Sequence, residues 1–219
     1  MGEFSKFFGF AFSALLPLIN PIGSALMLLG LVGNAPLAVY RALARRIAIA
    51  TTIFLIVVEA VGTALLKFFG ISLPVVQVAG GLVLASMGWK LLNDAEPEEK
   101  EKPPDVDVRT LEQQVFYPLT FPITAGPGCI VVMVTLSAHA SLKGLLPSVA
   151  AHAGIAAAVV LVSVTVYICY ARAPRITARI SPQTAHGILR LIAFVLLCIG
   201  VQITSNGVES IVKTMFLKT

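Results

Sequence analysis

The chain has 219 residues, of which 57% are hydrophobic and 12% are charged, whereas a soluble domain carries about 25% charged residues. Several apolar stretches reach about 20 residues, which is enough for a helix to cross a bilayer. The net charge of +5 does not indicate nucleic-acid binding, because residues 93–109 are acidic and most of the positive charge lies in short segments beside the apolar stretches. Composition therefore excludes a mainly soluble protein and predicts an all-α polytopic membrane protein.

We predict six membrane-spanning helices from the apolar runs. They cover about residues 8–32, 43–66, 73–92, 117–137, 145–170 and 185–208. The loops after the first, third and fifth spans carry ten Lys and Arg residues, and the opposite side carries five. Since short loops rich in Lys and Arg stay in the cytoplasm, both termini are predicted to lie outside the cell.

Matching proline clusters interrupt the first and fourth spans. The pattern Pro-Leu-x-x-Pro-Ile occurs at residues 17–22 and again at residues 118–123. Proline lacks an N–H and its ring collides with a preceding carbonyl, so in hydrocarbon such a break needs protein or a wet cavity around it. Two matched breaks are typical of the binding site of a secondary transporter. Simple kinks, satisfied by neighbouring helices, are the alternative interpretation.

The two breaks enter the membrane from opposite directions, because the first span runs inward and the fourth runs outward. This predicts two inverted three-helix repeats, at residues 1–92 and 114–219, with helices 1 and 4 broken. Residues 93–113 are predicted to form a mobile cytoplasmic linker, since they are acidic, lack apolar anchors and contain Pro103-Pro104.

Small residues recur on one helical face in the third and fifth spans. Gly81, Ala85 and Gly88 share a face, and so do Gly154 and Ala158. Small residues at this spacing let helix backbones approach closely. We interpret both faces as packing surfaces and not as ligand contacts.

The helices that restart after the breaks offer a site for a small zwitterion. The first amides of a helix lack intrahelical partners and carry partial positive charge, which suits a carboxylate, while carbonyls freed by proline can accept from an ammonium group. Glycines let a ligand approach the backbone. The predicted substrate-binding residues are Asn20, Gly23, Ser24, Thr120, Thr124, Ala125, Gly126 and Gly128.

Glu59 is the only acid deep inside a predicted span, and it shares a helical face with Thr52 and Thr63. Intramembrane acids are costly and usually functional, often as proton relays. We therefore take Glu59 as the candidate for ion coupling, with a structural hydrogen bond to another helix as the alternative.

The two broken segments, Asn20-Pro21-Ile22-Gly23 and the stretch from Tyr117 to Gly128, resemble the MarC/SnatA family of bacterial and archaeal inner-membrane proteins. The similarity covers essentially the whole chain, including the six spans and the polar linker. It implies a multi-pass protein of the inner (plasma) membrane of a prokaryote. It also implies transport of small neutral amino acids such as glycine and alanine, coupled to a cation gradient.

Other classes of function are less favoured by the sequence. A passive channel for small neutral solutes is the main alternative, because Asn20-Pro21 resembles the Asn-Pro of aquaporin half-helices; the second break, however, has Phe121-Pro122 and no asparagine. The three histidines fall near span ends, where contact with interfacial water is expected. No catalytic or metal-binding constellation is visible, so we expect no enzyme activity, cofactor or metal.

The expected partners follow from this interpretation. They are glycine or alanine, a coupling proton or sodium ion, and membrane lipid, with no nucleic acid. A homo-oligomer is left open.

Overall fold

The computed structural model describes residues 2–33, 35–93, 111, 113–141, 144–177 and 182–216. Of the predicted linker at residues 93–113, only Asn93, Leu111 and Gln113 lie within the described residues. In the described part of the chain, every regular element is helical. In chain order these elements are α1 (Glu3–Ile19), α2 (Pro21–Val32), α3 (Leu37–Phe68), α4 (Leu73–Asn93), the π segment (Val115–Thr124), α5 (Pro127–Ala140), α6 (Leu145–Ala171), α7 (Ala173–Thr177) and α8 (Pro182–Phe216).

Five stretches of helix are long and apolar enough to cross a membrane, with α1 and α2 together counting as one. A sixth crossing results if the π segment and α5, which are bent by 72° at their junction, form one span. The helices extend a few residues beyond most of the predicted span ends. The chain is thus an all-helical membrane protein with five or six crossings.

The first break lies at Asn20, between α1 and α2. Asn20 has a left-handed backbone with φ 46°, which non-glycine residues adopt rarely but asparagine tolerates. Its side chain accepts a hydrogen bond from the Gly23 amide at 3.0 Å, and Pro21 occupies the first helical position of α2, where its missing N–H costs nothing. Pro17 does not break the chain here, because α1 continues through it to Ile19.

The second break is longer and consists of the whole π segment. Tyr117 and Phe121 have extended backbones inside it, and both are joined to the following proline by a cis peptide bond. The remaining hydrogen bonds span five residues, as in the bond from the Ala125 amide to the Thr120 carbonyl at 2.8 Å. The chain therefore turns sharply before α5 begins at Pro127.

Glycines allow close packing of the helices around these breaks. A Cβ on Gly88 would lie 2.6 Å from the backbone of α8, and one on Gly207 would lie 2.8 Å from the Pro74 carbonyl of α4. Gly154 of α6 likewise faces the backbone of α1 at Phe4. The predicted small-residue packing faces on the third and fifth spans are confirmed, and they bring α4 onto α8 and α6 onto α1.

Candidate functional site

A cavity of about 440 Å³ lies between the two breaks. Its walls are formed by the α1–α2 junction, α4, the junction of the π segment with α5, and α8. Most of the lining is apolar, and the polar groups are concentrated at the breaks. Five of the predicted substrate-binding residues line it, namely Asn20, Gly23, Ser24, Gly126 and Gly128.

The other three predicted residues lie behind the cavity wall. Thr120, Thr124 and Ala125 are at most 1% exposed and do not line the cavity. Thr120 donates its hydroxyl hydrogen to the Val115 carbonyl at 2.7 Å, and Thr124 donates to Leu119 at 2.6 Å. Both threonines therefore satisfy carbonyls within the π segment and hold its shape.

The first break uses its amide donors internally. The Gly23 amide donates to Asn20 Oδ1, and the Ser24 amide donates to the Asn20 carbonyl at 2.9 Å. A Cβ on Gly23 would lie 2.8 Å from Asn20 Cγ, so glycine at this position makes room for the capping side chain. The start of α2 is thus closed by Asn20, where the sequence suggested open donors for a ligand.

The second break presents the start of α5 to the cavity. Gly126 and Gly128 flank Pro127 there, and the first amides of a helix have no intrahelical acceptor. A Cβ on Gly128 would lie 2.6 Å from Leu84 Cγ, and one on Gly126 would lie 3.2 Å from the Pro122 carbonyl. The two glycines therefore expose backbone where any side chain would fill the space.

The end of α1 also borders the cavity, with Leu18 and Ile19 in its lining. The last carbonyls of a helix lack intrahelical donors and carry partial negative charge. The negative end of α1 and the positive end of α5 therefore both border the cavity. Such an arrangement can hold a zwitterion without a full protein charge.

Tyr170 of α6, which no sequence motif marks, contacts the second break. The Tyr170 hydroxyl is 2.7 Å from Thr124 Oγ1, and at the first break Ser24 donates its hydroxyl hydrogen to the Asn20 carbonyl at 2.8 Å. Ser24 also contacts the Ile19 carbonyl at 2.5 Å. The only signal in the sequence was a tyrosine in an apolar span, whose buried hydroxyl needs a partner.

The cavity wall also includes residues that had seemed unrelated to the site. Lys90, one of the ten Lys and Arg residues that indicate the cytoplasmic side, lines the cavity, as do Met27 and Met87. Leu84, Met87 and Leu91 recur at helical spacing and so share one face of α4. Apolar side chains of this kind carry no sequence signal that separates a cavity wall from ordinary packing.

Glu59 lies outside this cavity. It contacts His152 of α6 through Oε1 and Nδ1, so His152 is not simply solvated as its position near a span end suggested. Among the described residues, no group of three or more His, Cys, Asp or Glu side chains could hold a metal ion.

Comparison with known proteins places the chain in a family. The MarC family of integral membrane proteins matches residues 5–212. The UPF0056 inner membrane protein MarC of Salmonella typhimurium (strain LT2) is 29% identical over 219 residues, covering 98% of this chain and 99% of the relative. The protein of the same name from Citrobacter koseri is 30% identical over 220 residues, with the same coverage.

No solved structure is significantly similar to this chain. The family resemblance that the two broken segments indicated is confirmed, and the chain belongs to the MarC family of integral membrane proteins.

Proposed function

We propose that this protein is a secondary transporter of small neutral amino acids such as glycine and alanine, coupled to a cation gradient, and that it is not an enzyme. The observation that carries the proposal is the cavity of about 440 Å³ between two broken helices. Broken helices at a membrane cavity supply ligand contacts from their backbone ends. The breaks themselves carry no charged side chain, and the charged residue of the lining, Lys90, lies on α4; the helix ends alone offer partners for both charges of a zwitterion.

The proposed substrate pose follows from the two helix ends. The carboxylate lies on the amides at the start of α5, near Gly126 and Gly128. The ammonium group faces the carbonyl oxygens at the end of α1, near Leu18 and Ile19. The side chain then points toward the apolar wall, where there is space for a methyl group or more.

The inverted repeat is part of this proposal and is supported by the pattern of helix contacts. An inverted repeat relates the first span to the fourth, the second to the fifth and the third to the sixth. The contact between the first and fifth spans (α1 with α6) should then have a counterpart between the fourth and second spans, and α3 does contact the π segment and α5. The repeat exchanges α3 with α6 and α4 with α8, and the two members of each of these pairs are in contact with each other. An inverted repeat supports alternating access by rocking of one half against the other.

The orientation of the cavity is consistent with an inward-facing state. Its lining on α4 runs from Leu84 to Leu91 and on α8 from Leu189 to Leu196, which is the half of each helix nearer the predicted cytoplasmic loops. Helices α4 and α8 are in close contact in both halves, at Gly88 beside the cavity and at Gly81 and Gly207 beyond it, so the assignment rests on the position of the lining residues. We place both termini outside the cell, in the inner membrane of a prokaryote, with the cavity open to the cytoplasm.

Counterflow in liposomes tests the proposed function. Purified protein is reconstituted with unlabelled glycine inside, and the entry of labelled glycine is followed. We expect saturable uptake that internal glycine stimulates and external alanine inhibits. Flux that rises linearly with concentration would indicate a passive channel, and absence of protein-dependent flux would contradict amino-acid transport altogether.

A further inference from the structure

We propose that Glu59 and His152 together form the binding site for the coupling ion, and that this ion is a proton. The inference rests on the proposed transport function and adds the ion and its site. Glu59 of α3 and His152 of α6 contact each other through Oε1 and Nδ1. Their side chains are 13% and 35% exposed, respectively, so the pair is shielded but not sealed inside the protein.

A second set of hydrogen bonds holds the backbone at Glu59. Ser137 of α5 donates from Oγ to the Glu59 carbonyl at 2.7 Å, and Thr63 donates from Oγ1 to Ser137 Oγ at 3.3 Å. Three membrane helices, α3, α5 and α6, therefore meet at this point. These bonds hold the backbone of Glu59, from which its side chain extends to His152.

The chemistry of the pair favours a proton over sodium. Carboxylate, carbonyl and water oxygens suit hard cations, whereas imidazole suits softer metals, and the side-chain partner of Glu59 is an imidazole nitrogen. Histidine is the side chain that normally changes its charge near neutral pH. A carboxylate held against a histidine is therefore suited to binding and releasing a proton.

The net charge of the Glu59–His152 pair explains why the protein can change conformation when the pair has bound a proton. With one added proton the pair has no net charge, either as imidazolium with carboxylate or as two neutral groups. Without that proton it carries one negative charge, which is costly to bury in a membrane protein. The loaded form is therefore the one that can be shielded from water.

Other ionisable groups near the pair are few. Glu59 is the only acid on α3, α5 and α6. On α1, which packs against α6, Glu3 and Lys6 pair with each other at 3.8 Å. His139 of α5 hydrogen-bonds through Nδ1 to Thr135 of its own helix at 2.7 Å, and Lys67 lies in the last turn of α3.

Helix α6 links this pair to the substrate cavity. It carries His152 toward one end and, toward the other, Tyr170, whose hydroxyl contacts Thr124 at the second break. A change in the contact between α3 and α6 at Glu59 is therefore transmitted to the segment that shapes the cavity. This gives a route by which proton binding and substrate binding favour the same state.

The test compares two quantities for each variant in liposomes. One is the rate of glycine counterflow, which needs no net ion movement, and the other is the level of glycine accumulation driven by an imposed pH gradient. One proton per substrate allows about tenfold accumulation per pH unit. For Glu59→Gln and His152→Gln we expect the ratio of accumulation to counterflow to fall by about tenfold in a gradient of one unit. The matched control is His139→Gln, on the neighbouring helix, which should keep the wild-type ratio.

Counterflow also reports that each variant is folded. A wild-type ratio in His152→Gln, or accumulation by the unmodified protein with a sodium gradient and not with a pH gradient, would overturn the proton site while leaving amino-acid transport intact. Absence of counterflow in the unmodified protein would instead contradict the proposed function.

Discussion

The two breaks share a sequence pattern but differ in geometry. The first is a single residue, Asn20, whose side chain caps the following helix. The second is the π segment, which ends in a 72° bend and leaves the start of α5 at the cavity. A repeated motif thus gives one closed helix start and one that faces the cavity. We infer that the two breaks have different roles. The second break binds the substrate carboxylate, and the first shapes the cavity wall and provides carbonyl oxygens.

The largest effect is expected from closing the second break with Gly128→Val. The added side chain would collide with Leu84, since a Cβ alone lies 2.6 Å from Leu84 Cγ. Overpacking costs about 1–3 kcal/mol, and losing a hydrogen bond to a charged group costs about 1.5–3 kcal/mol. Glycine affinity, measured directly on purified protein, should fall by about 10- to 100-fold from the lost hydrogen bond, and the overpacking should separately lower the thermal midpoint of unfolding.

The matched control for this change is Gly30→Val, because a Cβ on Gly30 of α2 would meet no atom within 4 Å. It should leave glycine affinity almost unchanged. Equal affinities for Gly128→Val and the unmodified protein would mean that the start of α5 is not part of the site.

An intermediate effect is expected from Thr124→Val, which removes the hydroxyl between the Leu119 carbonyl and Tyr170. A buried polar group left without a partner costs about 1–3 kcal/mol. The thermal midpoint of unfolding in detergent should fall, and glycine affinity should fall with it because the π segment shapes the cavity wall.

Thr165→Val is the control for Thr124→Val, since the Thr165 hydroxyl bonds only within α6, to the Leu161 carbonyl at 3.0 Å. Its thermal midpoint should stay close to that of the unmodified protein. A drop of the same size in both variants would show that Thr124 has no special role at the break.

The smallest effect is expected from Asn20→Ala at the first break. Loss of a helix cap costs about 1 kcal/mol, so stability should fall modestly. Because the Gly23 amide is then released toward the cavity, glycine affinity should fall by less than in Gly128→Val. Asn206→Ala, at an exposed asparagine of α8 that accepts from Gln202, is the control. If Asn20→Ala weakened binding more than Gly128→Val, the proposed division between the breaks would be wrong.

Much of the helical layout could be predicted from the sequence. The span predicted at residues 145–170 corresponds to Leu145–Ala171, and that at residues 73–92 to Leu73–Asn93, because apolar runs and the residues that interrupt them act locally. The position of the first break was also accessible, since Asn-Pro is a good start for a helix. These features depend on neighbours along the chain and need no knowledge of packing.

Contacts between helices could not be predicted in the same way. The pairing of Glu59 with His152 depends on the register of α3 against α6, which is set by close packing and not by the period of either helix. Tyr170 reaches Thr124 for the same reason. The proline motif indicates that Thr120 and Thr124 lie at the second break. Their bonds to carbonyls five residues earlier depend on the wide turns of the π segment, which the motif does not predict.

Substrate protection of cysteines tests the central claim that substrate lies between the two breaks. In a background with Cys129, Cys169 and Cys198 replaced by alanine, single cysteines replace Met27, Met87 or Met215. Met27 of α2 and Met87 of α4 both line the cavity, whereas Met215 is 68% exposed near the far end of α8.

The rate of alkylation by a soluble maleimide is measured with increasing glycine. We predict that glycine slows alkylation at positions 27 and 87, with a half-maximal concentration matching that of counterflow, and leaves position 215 unchanged. Absence of protection at both cavity positions, or the same change at all three, would contradict a substrate site between the broken helices.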